Sequence, residues 1–316
     1  MEKLVSNNIS NVTLVIDGYN KNVKQMSKQN KVLKTIGLTI TYILLIMFAI
    51  IGLMPFYWMI ITSLKSETEY NSPITTYFPT QGVYFSNYLE VFKKFDFFKY
   101  FGNTLIVILI STFITVFLTV IAAFAFARLR FKGRDGLFLL FLSAMMIPTE
   151  LLVTSNYISM YRYGLLDGGA LNTFLATMLP FLVNIFYIYL LRQNFMQIPN
   201  ELYLASKVDG KSDWQFLWKV MVPIAQPTIV TIIILKVIST WNAYAWPSMV
   251  VGTDDTYAMI TVGLRDFTKF TDETGDREYV TLQMAGVTLV TIPLILLFIV
   301  FRKYIMRGVG KAGIKG

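Results

Sequence analysis

The sequence contains neither cysteine nor histidine, and only 15% of its 316 residues are charged. The missing residue types exclude disulfides, thiol chemistry, histidine-based catalysis and ordinary zinc sites. We therefore expect no metal site and no cofactor. The hydrophobic fraction is 55% and the mean hydropathy is +0.55, values typical of an integral membrane protein.

Motifs for nucleotide chemistry and hydrolysis are also missing. The chain has no G-x-x-x-x-G-K-[ST] loop, so we expect it not to bind ATP itself. Ser239 and Lys236 have helical spacing, but a serine that bonds to the backbone within a span explains Ser239 better than a Ser–Lys hydrolase does. The apolar stretches hold no aspartate pair for an intramembrane protease. The composition therefore argues against an enzyme.

Six stretches with almost no charge are each long enough to cross the hydrocarbon core, which takes about 20 helical residues. They lie near 37–61, 103–127, 137–158, 170–191, 226–248 and 280–301. Only Glu150 and Lys236 are charged within them. The expected fold is an all-α integral membrane protein with six transmembrane helices.

The polar segments alternate in charge. Four of them together hold nineteen Lys and Arg against six acidic residues, whereas the other three hold eight against twelve. The basic segments are 1–36, 128–136, 192–225 and 302–316, and the others are 62–102, 159–169 and 249–279. Basic loops favour the cytoplasmic side, so both termini are predicted to be cytoplasmic. The net charge of +9 thus indicates membrane orientation rather than nucleic-acid binding.

Three domains follow from this pattern. Residues 1–36 are polar, without sustained periodicity, and are predicted to be a largely disordered cytoplasmic tail. Residues 37–301 are the membrane domain, and 302–316 are a cytoplasmic tail. The outer loops 62–102 and 249–279 are longer than simple connections require, which favours a partner-binding role.

The segment from Glu201 to Pro227 is too polar to span a membrane and carries signals for two short helices. Pro199 suits a helix start, and Glu201 places a negative charge at the positive end of the helix dipole. Gly210 can adopt the left-handed conformation that ends a helix. Ser212 or Asp213 can cap the second helix. One face of the first helix carries Leu204, Ala205 and Val208.

This segment resembles the EAA loop of ABC importer permeases. It reads LASKVDGK from Leu204 to Lys211 and continues to Phe216, Pro223 and Pro227. The Asp-Gly pair, the aromatic residue and both prolines match the family pattern. Three positions depart from it, because Leu204 replaces the motif glutamate, Ser206 its second alanine and Lys211 the alanine after glycine. An ionic contact of that glutamate with an ATPase is therefore not expected, and burial of Leu204 could replace it.

The resemblance covers residues from about 37 to 316. The stretches PFYWMIITSLK, AAFAFARLRFKGRD, MMIPTELLV and YGLLDGGALNT look like the second permease subunit of carbohydrate ABC importers, a group that includes maltose-type, multiple-sugar and glycerol-3-phosphate systems. The resemblance implies a MetI-like, type I importer permease of a bacterial cytoplasmic membrane. It also implies a second homologous permease, two ATPase subunits that hydrolyse ATP, and an extracytoplasmic solute-binding protein.

The resemblance further implies roles for named residues. The loop 199–225 would dock on an ATPase as a coupling helix, and the C-terminal RGVGKAGIKG would reach into the ATPase dimer. The implied coupling residues are Glu201, Leu204, Ala205, Ser206, Asp209, Gly210, Phe216 and Pro223. The implied tail contacts are Gly313, Lys315 and Gly316.

The solute pathway is sought where polar or aromatic residues enter the spans. Trp241, Asn242 and Tyr244 combine aromatic faces with an amide, which suits sugar rings. Trp246 is expected in an interfacial aromatic belt. Lys236 and Glu150 either pair with each other or line the pathway or its gate. Oligosaccharide import is the favoured function, with glycerol-3-phosphate or another small solute as the alternative, and an ion-coupled transporter or channel is a weaker rival because no inverted repeat is evident.

Overall fold

The computed structural model describes residues 34–265 and 279–310. Residues 1–60 and 61–316 form two compact units. The first apolar stretch forms helix α1, which runs from Lys34 to Ser63 and so ends just inside the second unit. At a rise of 1.5 Å per residue, its 30 residues extend about 45 Å, enough to cross a bilayer. The predicted disorder of residues 1–36 lies almost entirely outside the described residues.

All regular secondary structure among the described residues of the second unit is helical. Its α-helices are α2 Glu67–Tyr70, α3 Ser86–Lys94, α4 Phe97–Arg128, α5 Arg134–Ala144, α6 Val153–Arg162, α7 Ala170–Met178, α8 Ile185–Met196, α9 Asn200–Val208, α10 Asp213–Phe216, α11 Val222–Ile224, α12 Gln226–Trp241, α13 Ala245–Val251, α14 Ile260–Leu264 and α15 Val280–Gly310. Short 3-10 helices cover Thr149–Leu152, Leu179–Phe181 and Asp255–Tyr257, and a π-helix covers Leu217–Met221.

Membrane crossing is divided between straight and broken helices. α1, α4 and α15 are each long and apolar enough to span a membrane. Three helix pairs also qualify when each bent pair is counted as one span, with bends of 88°, 54° and 79°. These pairs are Arg134–Ala144 with Thr149–Arg162, Ala170–Phe181 with Ile185–Met196, and Asp213–Ile224 with Gln226–Trp241. The described residues therefore hold three candidate spans, or six when each bent pair counts as one.

The expectation of single helices at 137–158, 170–191 and 226–248 is wrong, because each stretch is interrupted. Pro148 precedes the 3-10 turn between α5 and α6, where the residue before a proline disfavours helix. Pro180 lies in the turn between α7 and α8. The fifth stretch ends at Trp241 rather than continuing to 248, and it resumes as α13.

α4 is the central helix of the second unit, and it packs against α8, α12, α14, α7 and α5. Its buried face carries small hydroxyl residues among the apolar ones. They are Thr104, Ser111, Thr112, Thr115 and Thr119. Small residues let neighbouring backbones approach closely where lipid supplies no hydrophobic drive between helices. This face therefore holds the other spans around α4.

The residues between α1 and α4 fold around two glutamates. The buried Glu69 carboxylate accepts hydrogen bonds from the backbone N–H groups of Thr80 and Gln81 at 2.8 and 3.1 Å, and from the hydroxyls of Thr76 and Thr80. Glu67 Oε1 accepts from the backbone N–H of Thr281 at 2.8 Å. Because Thr281 lies in the first turn of α15, Glu67 caps that helix. This region, residues 64–96, is therefore an ordered cap rather than a plain connector.

The start of α4 holds the segment 255–264. Tyr100 donates its hydroxyl hydrogen to Asp255 Oδ2, and Thr104 Oγ1 accepts from the backbone N–H of Ile260 at 2.8 Å. A Cβ added to Gly263 would lie 2.8 Å from the Tyr100 ring. Only glycine therefore allows α14 to approach α4 this closely.

Candidate functional site

The first candidate site is the corner formed by residues 199–216, here called the α9 corner. α9 begins after Pro199 and ends with Asp209 as its C-cap residue. Gly210 follows with φ of +70°. The N–H of Lys211 donates to the carbonyl of Ser206 at 2.9 Å, and the N–H of Gly210 donates to that of Lys207 at 3.0 Å. This is a Schellman motif, so the predicted glycine stop is confirmed.

α10 starts immediately after the turn with a capping box. The backbone N–H of Gln215 donates to Ser212 Oγ at 3.2 Å, and the backbone N–H of Ser212 donates to Gln215 Oε1 at 3.1 Å. The prediction that Ser212 or Asp213 caps this helix is confirmed for Ser212. The reciprocal bonds satisfy two backbone donors and fix the direction in which α10 leaves the turn.

The inner side of the α9 corner is braced by polar and aromatic contacts. Tyr203 donates its hydroxyl hydrogen to Asp213 Oδ1 at 2.8 Å, and Lys207 Nζ lies 2.7 Å from the same oxygen. The hydrogen bond to Asp213 raises the pKa of Lys207. The Tyr203 ring packs edge-on against Phe216 with centroids 5.1 Å apart. These contacts join α9 to α10, so that the two short helices form one body.

The outer side of α9 is apolar and unpartnered within the described residues. Leu204 and Val208, one helical turn apart, are 56% and 90% exposed. Ala205 and Glu201 are exposed as well. Ser206 is buried, and its hydroxyl donates to the carbonyl of Tyr203 at 2.7 Å.

The remaining predicted coupling residues are also either buried within the corner or exposed on it. Phe216 is fully buried, whereas Pro223 is exposed. Asp209 Oδ2 lies 3.4 Å from Lys211 Nζ in an exposed pair. Ser206 and Phe216 therefore position the corner, and its accessible surface belongs to the other residues. Gly313, Lys315 and Gly316 lie outside the described residues.

Arg128 attaches the α9 corner to the spans. Its Nη2 group donates to the carbonyl of Phe195 at 2.9 Å and also to that of Ile198, and its Nη1 group donates to Asn200 Oδ1 at 3.4 Å. Arg128 ends α4, Phe195 lies in α8 and Asn200 begins α9. This role of Arg128 was not predicted from the sequence. A basic residue at a predicted helix end was its only sequence signal.

The second candidate site is a cavity of about 370 Å³ within the second unit, here called the cavity. Its walls come from α4, the turn before α6, the broken α7–α8 pair, α12 and α13. Its polar and aromatic lining residues include Ser111, Glu150, Tyr187, Lys236, Tyr244 and Trp246. The volume lies within the range of about 300–1,000 Å³ typical of small-molecule sites.

Lys236 and Glu150 both line the cavity but form no ion pair among the described residues. Lys236 is 7% exposed, and its ammonium donates to the carbonyl of Phe181 at 3.2 Å. Glu150 is exposed in the 3-10 turn before α6. The sequence allowed the two residues either to pair with each other or to line the pathway. In this structure both lie at the cavity wall and they are not paired.

The aromatic wall differs in part from the prediction. Tyr244 lines the cavity, and the Arg265 guanidinium lies 4.3 Å from its ring centroid. Trp246 is buried rather than placed in an interfacial belt, since its Nε1–H donates to the carbonyl of Ala176 at 3.2 Å. The belt expectation is therefore wrong, because the break after Trp241 turns α13 inward against α7.

Trp241 and Asn242 do not line the cavity. Trp241 is 4% exposed and packs edge-on against Phe101. Asn242 uses its side-chain N–H to bond the carbonyl of Ile238 at 3.0 Å. Conversely, Ser111 and Tyr187 line the cavity although the sequence analysis did not single them out. Each lies in a largely apolar run beside other polar residues, which is a weak signal.

Broken membrane spans around a polar cavity, together with a polar corner between the fourth and fifth spans, define a membrane permease. The chain belongs to the family described as the binding-protein-dependent transport system inner membrane component, whose pattern matches residues 116–311. It is therefore a transport subunit located in a membrane, and import systems of this family use a separate ATPase and a binding protein.

Relatives with assigned names support the same class. The chain is 27% identical over 270 residues to the arabinooligosaccharides transport system permease AraQ of Halalkalibacterium halodurans, covering 85% of this chain and 93% of that protein. It is 27% identical to the lactose transport system permease LacG of Rhizobium radiobacter, with the same coverage. The inner membrane ABC transporter permease YcjP of Escherichia coli is 29% identical, covering 92% of this chain and all of YcjP.

A solved structure shares the fold. A chain of a bacterial ABC transporter involved in the import of the acidic polysaccharide alginate superposes with a TM-score of 0.73 at 26% identity. The match covers 84% of this chain and 95% of the other. The MetI-like permease fold is therefore confirmed.

Proposed function

We propose that this chain is one of two homologous permeases in a heterodimeric, ATP-driven importer of oligosaccharides. The observation that carries the proposal is the α9 corner, whose apolar outer face is exposed while its inner face is tied to α4 and α8. The names of the relatives AraQ and LacG support a carbohydrate as solute. Glycerol-3-phosphate or another small solute is the alternative.

The proposed orientation places the α9 corner and both termini in the cytoplasm. It is supported by the excess of Lys and Arg in the segment 192–225 and in the other segments on that side. One ATPase subunit would then dock on α9, and a second would dock on the partner permease. The tail residues Gly313, Lys315 and Gly316 are proposed ATPase contacts on the basis of the family resemblance alone. The binding protein would deliver the solute on the opposite side.

Coupling requires a rigid connection that transmits the movement of the ATPase to the transmembrane helices. The α9 corner suits this because Tyr203, Lys207 and Asp213 join its two helices, and Arg128 joins it to the ends of two spans. When ATP closes the ATPase dimer, the corner would move as a rigid body and shift the spans between inward and outward access. Gly210 sets the angle between α9 and α10.

Docking on the ATPase is proposed to be apolar in this chain. Leu204 stands where related loops carry glutamate, and Val208 extends the same exposed face by one turn. Burial of two such side chains contributes on the order of 1.5–3 kcal/mol each. That contribution is sufficient to replace an exposed ionic contact, which is typically worth about 0.2–1 kcal/mol.

The cavity is the proposed part of the solute route supplied by this chain. Tyr244 and Trp246 offer aromatic faces, and Lys236, Glu150 and Ser111 offer polar groups, a combination that suits sugar rings. Trp241 and Asn242 remain proposed pathway residues only if the partner permease brings solute to their side of α12.

Gly210→Val in the reconstituted importer tests the coupling proposal. A residue with a Cβ at φ of +70° is strained by about 1–2 kcal/mol, so the Schellman turn and the angle of α10 should change. We expect loss of sugar uptake and of ATP hydrolysis stimulated by binding protein, with normal amounts of protein in the membrane. Gly168→Val is the matched control, since Gly168 also has positive φ and open space around its Cα. Uptake at the wild-type rate by Gly210→Val would refute the coupling role.

A further inference from the structure

The cavity wall carries a buried cation without a carboxylate partner in the described part of the chain. Lys236 is 7% exposed, and no carboxylate lies within ion-pair distance of its ammonium in residues 34–265 and 279–310. One donor is used by the carbonyl of Phe181 at 3.2 Å, and an ammonium has three. A buried charge that lacks a counter-charge is costly, so the cavity next to Lys236 favours an anion.

A second polar group at the same cavity also lacks a partner. Ser111 is 1% exposed, lines the cavity and makes no hydrogen bond through its hydroxyl within the described part of the chain. Most buried hydroxyls are hydrogen-bonded, and serines in spans usually bond to the preceding turn. The free hydroxyl of Ser111 is therefore available to a ligand that enters the cavity.

The backbone adds to the positive character of the cavity. α8 begins at the cavity wall, where Asn184 caps its first turn and Tyr187 contributes to the lining. The N-terminal end of a helix carries partial positive charge, and broken helices in transporters direct such ends at anionic groups.

Glu150 lines the same cavity but forms no ion pair with Lys236 among the described residues. Its side chain is exposed, and it lies in the first turn of the 3-10 helix before α6, where the helix terminus favours a negative charge. Arg265 is another nearby cation, stacked on the Tyr244 ring at 4.3 Å. Among the described lining residues, the cation Lys236 is therefore buried, while the carboxylate Glu150 is exposed.

We propose that Lys236 and Ser111 form a subsite for an anionic group on the transported solute. The group would be a carboxylate of a uronate residue or a phosphate, with Tyr244 and Trp246 packing against the sugar ring. The ammonium and the hydroxyl would donate to its oxygens in charge-assisted hydrogen bonds. The inference rests on the cavity being the solute route of the proposed function, and it narrows the solute to acidic or phosphorylated sugars.

Thermal unfolding of the purified importer, without binding protein, tests the subsite. The probes are trigalacturonate and galactotriose, which differ mainly in carboxylate against hydroxymethyl, and glycerol 3-phosphate against glycerol. We expect at least one anionic probe to raise the unfolding temperature while its neutral partner does not. A rise with trigalacturonate alone identifies a carboxylate, and a rise with glycerol 3-phosphate alone identifies a phosphate. Equal rises with both members of each pair, or no rise with any probe, would overturn the proposal.

Variants assign the effect to the cavity. Lys236→Met should abolish the rise produced by the anionic probe, Lys236→Arg should retain part of it, and Ser111→Ala should reduce it. Lys132→Met is the matched control, because Lys132 is exposed in the loop between α4 and α5 and does not line the cavity. A rise that persists in Lys236→Met refutes the subsite. The coupling proposal is tested independently of the subsite, by ATP hydrolysis in Gly210→Val.

Discussion

The α9 corner and the cavity are built in opposite ways. The corner is formed by one continuous segment, residues 199–216, whose turn and caps are made by neighbours in sequence. The cavity takes its lining from positions as far apart as Val107 and Met259. A locally encoded element can keep its shape while it moves, which suits coupling. A site assembled from several helices changes whenever those helices shift, which suits alternating access.

The largest expected effect comes from separating the α9 corner from the spans. Arg128→Ala removes charge-assisted hydrogen bonds to Phe195, Ile198 and Asn200, and hydrogen bonds to charged groups are worth about 1.5–3 kcal/mol each. We expect sugar uptake to fall at least tenfold, measured in proteoliposomes, while the anionic probe still stabilises the importer.

Arg130→Ala is the control for this prediction, since Arg130 is an exposed arginine two residues further along the chain. It should leave uptake close to the wild-type rate. If Arg128→Ala and Arg130→Ala reduce uptake equally, then the attachment of the corner is not the cause.

A smaller effect is expected at the opposite end of α4. Gly263→Ala would place a Cβ 2.8 Å from the Tyr100 ring, and overpacking of this kind costs about 1–3 kcal/mol. The unfolding temperature of the purified importer should fall, whereas Gly102→Ala, a helical glycine with nothing within 4 Å, should leave it unchanged or raised. An unchanged unfolding temperature in Gly263→Ala would show that α14 can move away without cost.

The cap around Glu69 should respond to pH. Burial by itself would raise the pKa of Glu69, but hydrogen bonds from Thr80, Thr76 and Gln81 outweigh it and lower the pKa to about 2 from 4.5. Because the folded-state pKa is depressed, this stabilisation is present above about pH 4.5 and is lost as the pH falls toward 2. Glu69→Gln should destabilise the importer at neutral pH by about 1–3 kcal/mol.

The measurement is the unfolding temperature of wild type and Glu69→Gln between pH 3 and 7. The difference between the two proteins should shrink toward pH 3, because below about pH 4.5 the Glu69 carboxyl takes up a proton in the unfolded wild-type chain while it stays ionised in the folded one. Glu90→Gln is the control, because Glu90 makes only an exposed pair with Lys93. A difference that stays constant across this range would contradict the assignment of the depressed pKa to Glu69.

The two regions also differ in how well the sequence predicts them. Hydropathy and loop charge are sufficient to predict six candidate spans. Local rules are sufficient to predict that α9 stops at Gly210 and that Ser212 caps α10. Hydropathy cannot place the breaks, because a proline such as Pro148 can end a helix or only bend it. The inward turn of Trp246 depends on such a break.

Helix geometry explains which residues of α12 share the cavity wall. Lys236, Ser239 and Thr240 line the cavity together because positions three and four apart share a helix face. Trp241 is five positions from Lys236 and therefore points about 140° away from it around the helix. Ser111 reaches the cavity through the packing of α4 against other spans, which no local pattern specifies.

The smallest expected effect concerns the outer face of the α9 corner. Leu204→Ala removes much of an exposed side chain that we propose is buried in the ATPase, so docking should weaken by about 1–2 kcal/mol, or roughly tenfold in affinity. Leu202→Ala is the matched control, since Leu202 is an exposed leucine two positions away and points in a different direction.

Affinity for the ATPase subunit is measured with the purified permease pair at low and high salt. An apolar contact predicts a loss in Leu204→Ala that is the same at both salt concentrations, because screening weakens ionic contacts but not burial. Equal affinity in Leu204→Ala and wild type would refute apolar docking, and binding that salt weakens strongly would instead indicate an ionic contact.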